Sequence, residues 1–189
     1  MTAKVYWLAG PPCVGKSQFG RPLARSLGFK YLDVASLLPY LWRKLRHPND
    51  VLANSDAQAQ SYSDAKRVVF ADLESHLKFA RRMNHVACPT VQRMLLASRT
   101  AGTIVECSVG LLEFLHPSSG HFIHVTRAPG EHLKNIVKRH HVSIVEAIDL
   151  RTYYLELDHR MRAFNVVFDK EIDATEIARH VTRLSLADA

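Results

Sequence analysis

The chain has 189 residues, 47% of them hydrophobic, and carries 25 Lys and Arg against 18 Asp and Glu for a formal net charge of +7. That length suits one domain with a sizeable core, and no apolar run reaches the roughly 18 residues a membrane span needs. The basic balance fits a polyanionic partner such as nucleic acid, and equally an ordinary mildly basic protein. Cys13, Cys88 and Cys107 are a sparse, odd set without metal-type spacing, which suits a reducing, cytoplasmic setting.

Residues 5–9 are apolar throughout and read as a short buried strand. They lead into Gly10, Pro11, Pro12, Cys13, Val14, Gly15, Lys16 and Ser17, which match the phosphate-loop pattern G-x-x-x-x-G-K-[ST]. Glycines at both ends let the backbone curl so that successive N–H groups face a phosphate. The helix expected over 17–27 points the positive end of its dipole at the same anion. Lys16 would reach the β- and γ-phosphates of a nucleoside triphosphate, and the Ser17 hydroxyl would hold Mg²⁺. Pro11 and Pro12 bind through no N–H of their own.

A second strand is expected over 29–33 and an apolar helix over 35–45. Residues 47–63 are polar and turn-rich. Ser61 and Asp64 have capping-box spacing and open a helix to about Asn84, with Val69, Leu73, Leu77 and Ala80 along one side. Pro89 starts a further helix that ends near Gly102. Strands follow over 103–107 and 122–126, helices over 129–139 and 151–162, and a fifth strand over 165–168. Asp173 and Glu176 cap the last helix, whose buried stripe is Ile177, Val181 and Leu184.

Short strands alternating with helices predict an α/β fold, a five-stranded parallel sheet with helices on both faces. Ligands bind such sheets beyond the carboxyl ends of the strands, so the phosphate loop, Asp33, Glu106 and the segment after Thr126 should share one rim. Asp33 either orients or deprotonates an acceptor hydroxyl or caps the helix beginning at Ala35. Glu106 either holds a Mg²⁺-bound water or touches the acceptor, or is a solvated strand end. His140 and His141 are adjacent, so on a helix they diverge and do not chelate a metal. Two basic groups interleaved with aromatics, at 42–47 and 79–85, either stack on nucleic-acid bases or turn Trp42 and Phe79 inward.

Taken together, the chain resembles the small P-loop kinases of the nucleoside-monophosphate-kinase and shikimate-kinase kind. Residues 8–17 match the first element and 29–38 resemble the second strand and the start of the acceptor region. Residues 151–158, 164–169 and 172–178 resemble the helix after the lid, the last strand and the last helix. The resemblance implies one domain over 1–189, a three-layer sandwich with a helical acceptor-binding region about 36–102 and a lid about 139–151. It implies ATP and Mg²⁺, with Arg139 and Arg151 closing over the transferring phosphates and Arg127 a weaker candidate of that sort. A basic helix end is the alternative for these arginines. Region 36–102 lacks the arginine-bearing signature of adenylate and guanylate kinases and a shikimate-binding pattern. The acceptor is then a free nucleoside monophosphate or small metabolite, or a hydroxyl on a base in DNA, as in the phage kinases of 5-hydroxymethyluracil, with a slight tilt to the second. A P-loop ATPase or nucleotide switch without an acceptor is the remaining alternative.

Overall fold

The computed structural model describes residues 4–45, 73–116, 119–162 and 168–187, with side chains omitted at 43–45. The expected loop at 47–63, the Ser61 and Asp64 cap, residues 165–167 and most of the basic group at 42–47 lie outside the described residues.

Five strands, β1 (Lys4–Ala9), β2 (Lys30–Asp33), β3 (Gly102–Glu106), β4 (His121–Thr126) and β5 (Lys170–Asp173), form one sheet in the order β2-β3-β1-β4-β5. Every pairing is parallel, with Leu8 opposite Glu106 and Ile123, and Asp33 opposite Glu106. Strand β1 is covered on both sides, which is why its sequence from Val5 to Ala9 is continuously apolar rather than alternating. Tyr6 and Leu8 face a layer formed by α1 (Lys16–Ser26) and α7 (Ile177–Ala187), against Leu23, Ala24, Ile177 and Val181. Trp7 and Ala9 face the opposite layer, where α2 (Leu38–Leu45), α3 (Leu73–Leu96) and α6 (Ile144–Arg162) supply Leu41, Met83, Val91 and Leu157. A short helix α4 (Val109–Leu112) follows β3, and α5 (Pro129–His140) follows β4. The expected three-layer α/β sandwich is the observed fold.

Three expectations need correction. Pro89 does not start a helix: α3 runs through it as one 24-residue helix. Proline removes one intrahelical hydrogen bond, but Ala87, Cys88 and Val91 around it are buried against the sheet side of the helix, and that packing outweighs the local loss. Helix α6 begins at Ile144, well before 151, because Ser143 and Glu146 form a reciprocal capping box. The Ser143 amide donates to Glu146 Oε2 at 2.8 Å and the Glu146 amide donates to Ser143 Oγ at 3.3 Å. The fifth strand is Lys170–Asp173. Of the run expected to form it, Phe168 is described and precedes the strand, edge-on to the His124 ring at 5.0 Å between centroids.

The first helix ends on a left-handed residue. Gly28 has φ +65°, the Gly28 amide donates to the Arg25 carbonyl at 3.3 Å and the Phe29 amide to the Ala24 carbonyl at 2.8 Å. These two bonds are the Schellman pattern, which satisfies the last carbonyls of the helix and turns the chain into β2. Nothing lies within 4 Å of a Cβ added at Gly28, so the whole penalty of a side chain there is conformational. Gly28→Ala should lower the unfolding free energy by about 1 kcal/mol, read as an earlier midpoint in urea with an unchanged slope.

Candidate active site

The order β2-β3-β1-β4-β5 makes β1 central, with connections leaving to either side. The carboxyl ends of β1, β2, β3 and β4 therefore open on one crevice. The turn from Gly10 to Lys16 fills its centre. Gly10 has φ +142°, and a Cβ there would stand 2.3 Å from the Val125 carbonyl oxygen, so only glycine lets the turn leave β1 this close to β4. Gly15, at φ +102°, is the N-cap of α1. Between them Cys13 adopts φ +66°, a left-handed conformation uncommon for a residue with a side chain.

Lys16 is buried, and its ammonium donates to the Gly10 and Pro11 carbonyls at 2.8 Å each. Burial pushes its pKa down, opposed first by the charge of Glu106. One residue on, the Ser17 hydroxyl donates to Glu106 Oε1 at 2.9 Å, and the Tyr31 hydroxyl donates to the other carboxylate oxygen. Burial, reinforced by the hydrogen bond to Glu106, raises the Tyr31 pKa, so this phenol remains a donor. The Arg21 guanidinium lies 5.2 Å from the Tyr31 ring centroid. Two hydroxyls thus fix one carboxylate, and the Ser17 proton is directed at Glu106, which leaves the serine lone pairs for a cation.

Asp33 stands opposite Glu106 at the end of the adjacent strand. Its Oδ1 accepts the Ala35 amide at 3.0 Å, capping the short 3₁₀ turn Val34–Leu37 that precedes α2. Burial, with the neighbouring Glu106 charge second, raises its pKa.

Helix α5 lies along the other side of the turn. His132 Nε2 is 2.8 Å from the Pro12 carbonyl, and Asn135 Nδ2 donates to the Cys13 carbonyl at 2.9 Å. Arg139 and His140 both approach the Cys13 sulfur, at 4.0 and 3.7 Å, and His140 Nε2 is 3.0 Å from the Tyr154 hydroxyl. His141, at φ +55°, ends α5, so the segment 139–151 comprises the end of α5, a tight turn and the first turns of α6. Arg151 is half-buried with its Nε lacking a hydrogen-bond partner, and its charge joins burial in lowering the His132 pKa. Arg127 is tethered: it covers the Phe19 ring at 5.3 Å and faces Asp173 at 3.5 Å.

The loop residues, Asp33 and Glu106 are therefore brought to one crevice, with Arg139 and Arg151 beside the loop. Tyr31, His132 and Asn135 were not singled out by sequence. Tyr31 shares a strand face with Asp33, two residues on, and His132, Asn135 and Arg139 share one side of a helix; those spacings were the only available signal. Among the described residues of the two basic groups, Trp42 and Phe79 pack against each other rather than forming an open stacking surface. Trp42 is buried with its ring 5.5 Å from that of Phe79, and Arg81 pairs with Glu113 at 2.5 Å.

An all-oxygen set of Ser17 and Glu106 fits Mg²⁺, a hard cation that keeps several waters and takes few protein ligands. The glycine-closed turn and the α1 N-terminus fit a polyphosphate chain. Among the described residues no helix is long and apolar enough to cross a membrane.

No protein-family description and no curated protein matches the chain. Solved structures do. TT1252 from Thermus thermophilus aligns with a TM-score of 0.68 at 16% identity, over 100% of this chain and 98% of its own. Shikimate kinase from Acinetobacter baumannii, solved with shikimate, aligns at 0.55 and 17% identity over 99% and 95%. Dephospho-CoA kinase from Campylobacter jejuni aligns at 0.51 and 16% over 98% of each chain. What is shared at these identities is architecture: the chain has the α/β fold of the P-loop kinases.

Proposed function

We propose that this chain is an ATP- and Mg²⁺-dependent kinase that moves the γ-phosphoryl group to a hydroxyl of a small-molecule acceptor. The observation that carries the reading is the meeting of the Lys16 ammonium, the turn's amides, the Ser17–Glu106 pair and the Asp33 carboxylate at one end of the sheet. Phosphoryl transfer is mainly positioning and charge neutralisation, and these groups divide that work.

The amides of residues 13–17 hold the phosphate chain, and Lys16 leaves its carbonyl partners to meet the outer phosphates. Ser17 and Glu106 would hold Mg²⁺, which when bound would neutralise phosphate charge. Tyr31 keeps the Glu106 carboxylate turned to Ser17. Asp33 uses one oxygen as a helix cap and has a second for the acceptor hydroxyl, so capping and acceptor roles coexist in one side chain. Arg139 and Arg151 complete the cationic surround in a lid about 139–151, and the acceptor enters over the region 36–102. Trp42 is buried and its ring lies 5.5 Å from that of the half-buried Phe79, which supports a reading without base stacking at these two aromatics. That favours a small hydroxylated acceptor over a base in DNA. The Asp33 carboxylate, opposite Glu106 of the Ser17–Glu106 pair, supports transfer to an acceptor hydroxyl over simple hydrolysis.

Incubation with γ-labelled ATP and separate pools of hydroxy acids, nucleosides, nucleoside monophosphates and hydroxymethylated DNA tests this. Label in a small-molecule pool is the expected outcome; label in DNA, or only as free phosphate, contradicts it.

Lys16→Ala should reduce transfer by about a thousandfold or more, in line with losing a main charge on the transferring group, while the circular dichroism spectrum stays that of the parent. Asp33→Asn should lower kcat far more than it raises KM for ATP, measured by steady-state kinetics. Because burial raises the Asp33 pKa above its ordinary 3.8, the carboxylate needed for transfer is lost at a higher pH than in a free aspartate. The acid limb of kcat should therefore lie at a higher pH than a free aspartate would give, and Asp33→Asn should flatten it.

A further inference from the structure

The geometry points to His132 and Asn135 as positioning residues that set the direction of the first two phosphate-binding amides, by holding the carbonyls on the far side of the same peptide planes. This rests on the phosphate-loop reading above and adds to it residues that touch neither nucleotide nor acceptor.

In a trans peptide the C=O and the following N–H point in opposite directions within one plane. No cis peptide bond occurs among the described residues. Four consecutive peptides of the turn divide into two pairs. The Gly10 and Pro11 carbonyls face the Lys16 ammonium. The nitrogens of those two peptides belong to Pro11 and Pro12, so turning their carbonyls inward sacrifices no donor. The next two peptides carry the Cys13 and Val14 amides. Their carbonyls, on Pro12 and Cys13, are bound by His132 and Asn135 of α5, at 2.8 and 2.9 Å. Tying each carbonyl to α5 aims its N–H away from α5 and into the turn. The doubled proline and the two clamps thus account for every peptide between Gly10 and Val14.

The direction of each bond is fixed by chemistry. A carbonyl only accepts, so His132 must carry its hydrogen on Nε2, and Asn135 must present its amide nitrogen. His132 is buried, and burial, reinforced by the Arg151 and Lys16 charges and opposed by the bond to Pro12, holds its pKa below the ordinary value. It is therefore a neutral, fixed donor at neutral pH. The clamp also has something to hold: Cys13 sits at φ +66°, which for a residue with a Cβ is unfavourable and relaxes if the carbonyls are released. Its side chain packs with Ile136, Ala147 and Tyr154 from α5 and α6, so the same helices grip the residue on both its carbonyl and its sulfur.

The test uses the full chain and a fluorescent ATP analogue with Mg²⁺, titrated against wild type, Asn135→Leu, His132→Leu and His132→Gln, with thermal melting in parallel. Each leucine removes a donor at similar bulk. Glutamine returns an amide nitrogen near the place of imidazole Nε2. Asn135→Leu and His132→Leu should each weaken nucleotide binding about tenfold, the scale of one lost hydrogen bond. His132→Gln should restore binding to within about threefold of wild type, and KM for ATP should rise in the leucine variants more than kcat falls. Leucine variants that bind as tightly as wild type, or a glutamine variant no better than leucine despite normal melting, overturn the clamp. If His132→Leu does not fold, Asn135→Leu, which alters a half-buried site, decides. A wild-type protein that binds no nucleotide overturns the phosphate-loop reading itself.

Discussion

The orientation of a few peptide planes between β1 and α1 is the constraint on which the rest of this molecule depends. In the proposed function a phosphate would be held there by N–H groups, and an N–H turned outward would contribute nothing to it. The chain enforces that orientation from three directions. Gly10 lets the backbone pass against the Val125 carbonyl, where any side chain would collide with backbone. Lys16 gathers the two carbonyls whose peptides have no donor to lose. Helix α1 starts at Lys16 with Gly15 as its cap, so its dipole is aimed from the turn itself.

The sheet then determines what stands around the turn. Because β3 lies between β1 and β2, Glu106 is carried beside the first residues of α1 and Asp33 beside Glu106. Burial, and after it the neighbouring Glu106 charge, raises the Asp33 pKa, while the two hydroxyls on Glu106 keep that group in one pose. A carboxylate that is fixed and a carboxylate that holds its proton more readily suit different duties. The first suits a metal, the second a proton in transit. On the other flank β4 delivers α5, and the tight turn at His141 folds α6 back to place Arg151 near His132.

The phosphate loop, the parallel sheet and the rim carrying Asp33 and Glu106 were legible in the sequence, because each rests on local pattern: a glycine-bounded turn, apolar runs, and residues at strand ends. The failures have local causes too. The apolar residues at 166–168 outweighed the less apolar β5, whose sole buried residue among Lys170–Asp173 is Ile172. Pro89 argued for a break that burial of Ala87 and Val91 overrode. The Ser143 and Glu146 box starts α6 at Ile144 rather than at 151, and its three-residue spacing is a local signal. Tyr31, His132 and Asn135 are a different matter. Their partners lie 75, 120 and 122 residues away, and no spacing in one sequence says which side of α5 will lie against the turn.

Backbone amide NMR with a non-hydrolysable ATP analogue and Mg²⁺ tests the central claim most directly. The account predicts that the largest shifts fall on the amides of Cys13, Val14, Gly15, Lys16 and Ser17, with Glu106 next. Unmoved amides in that turn at saturating analogue, with the shifts gathered elsewhere on the molecule, would contradict it.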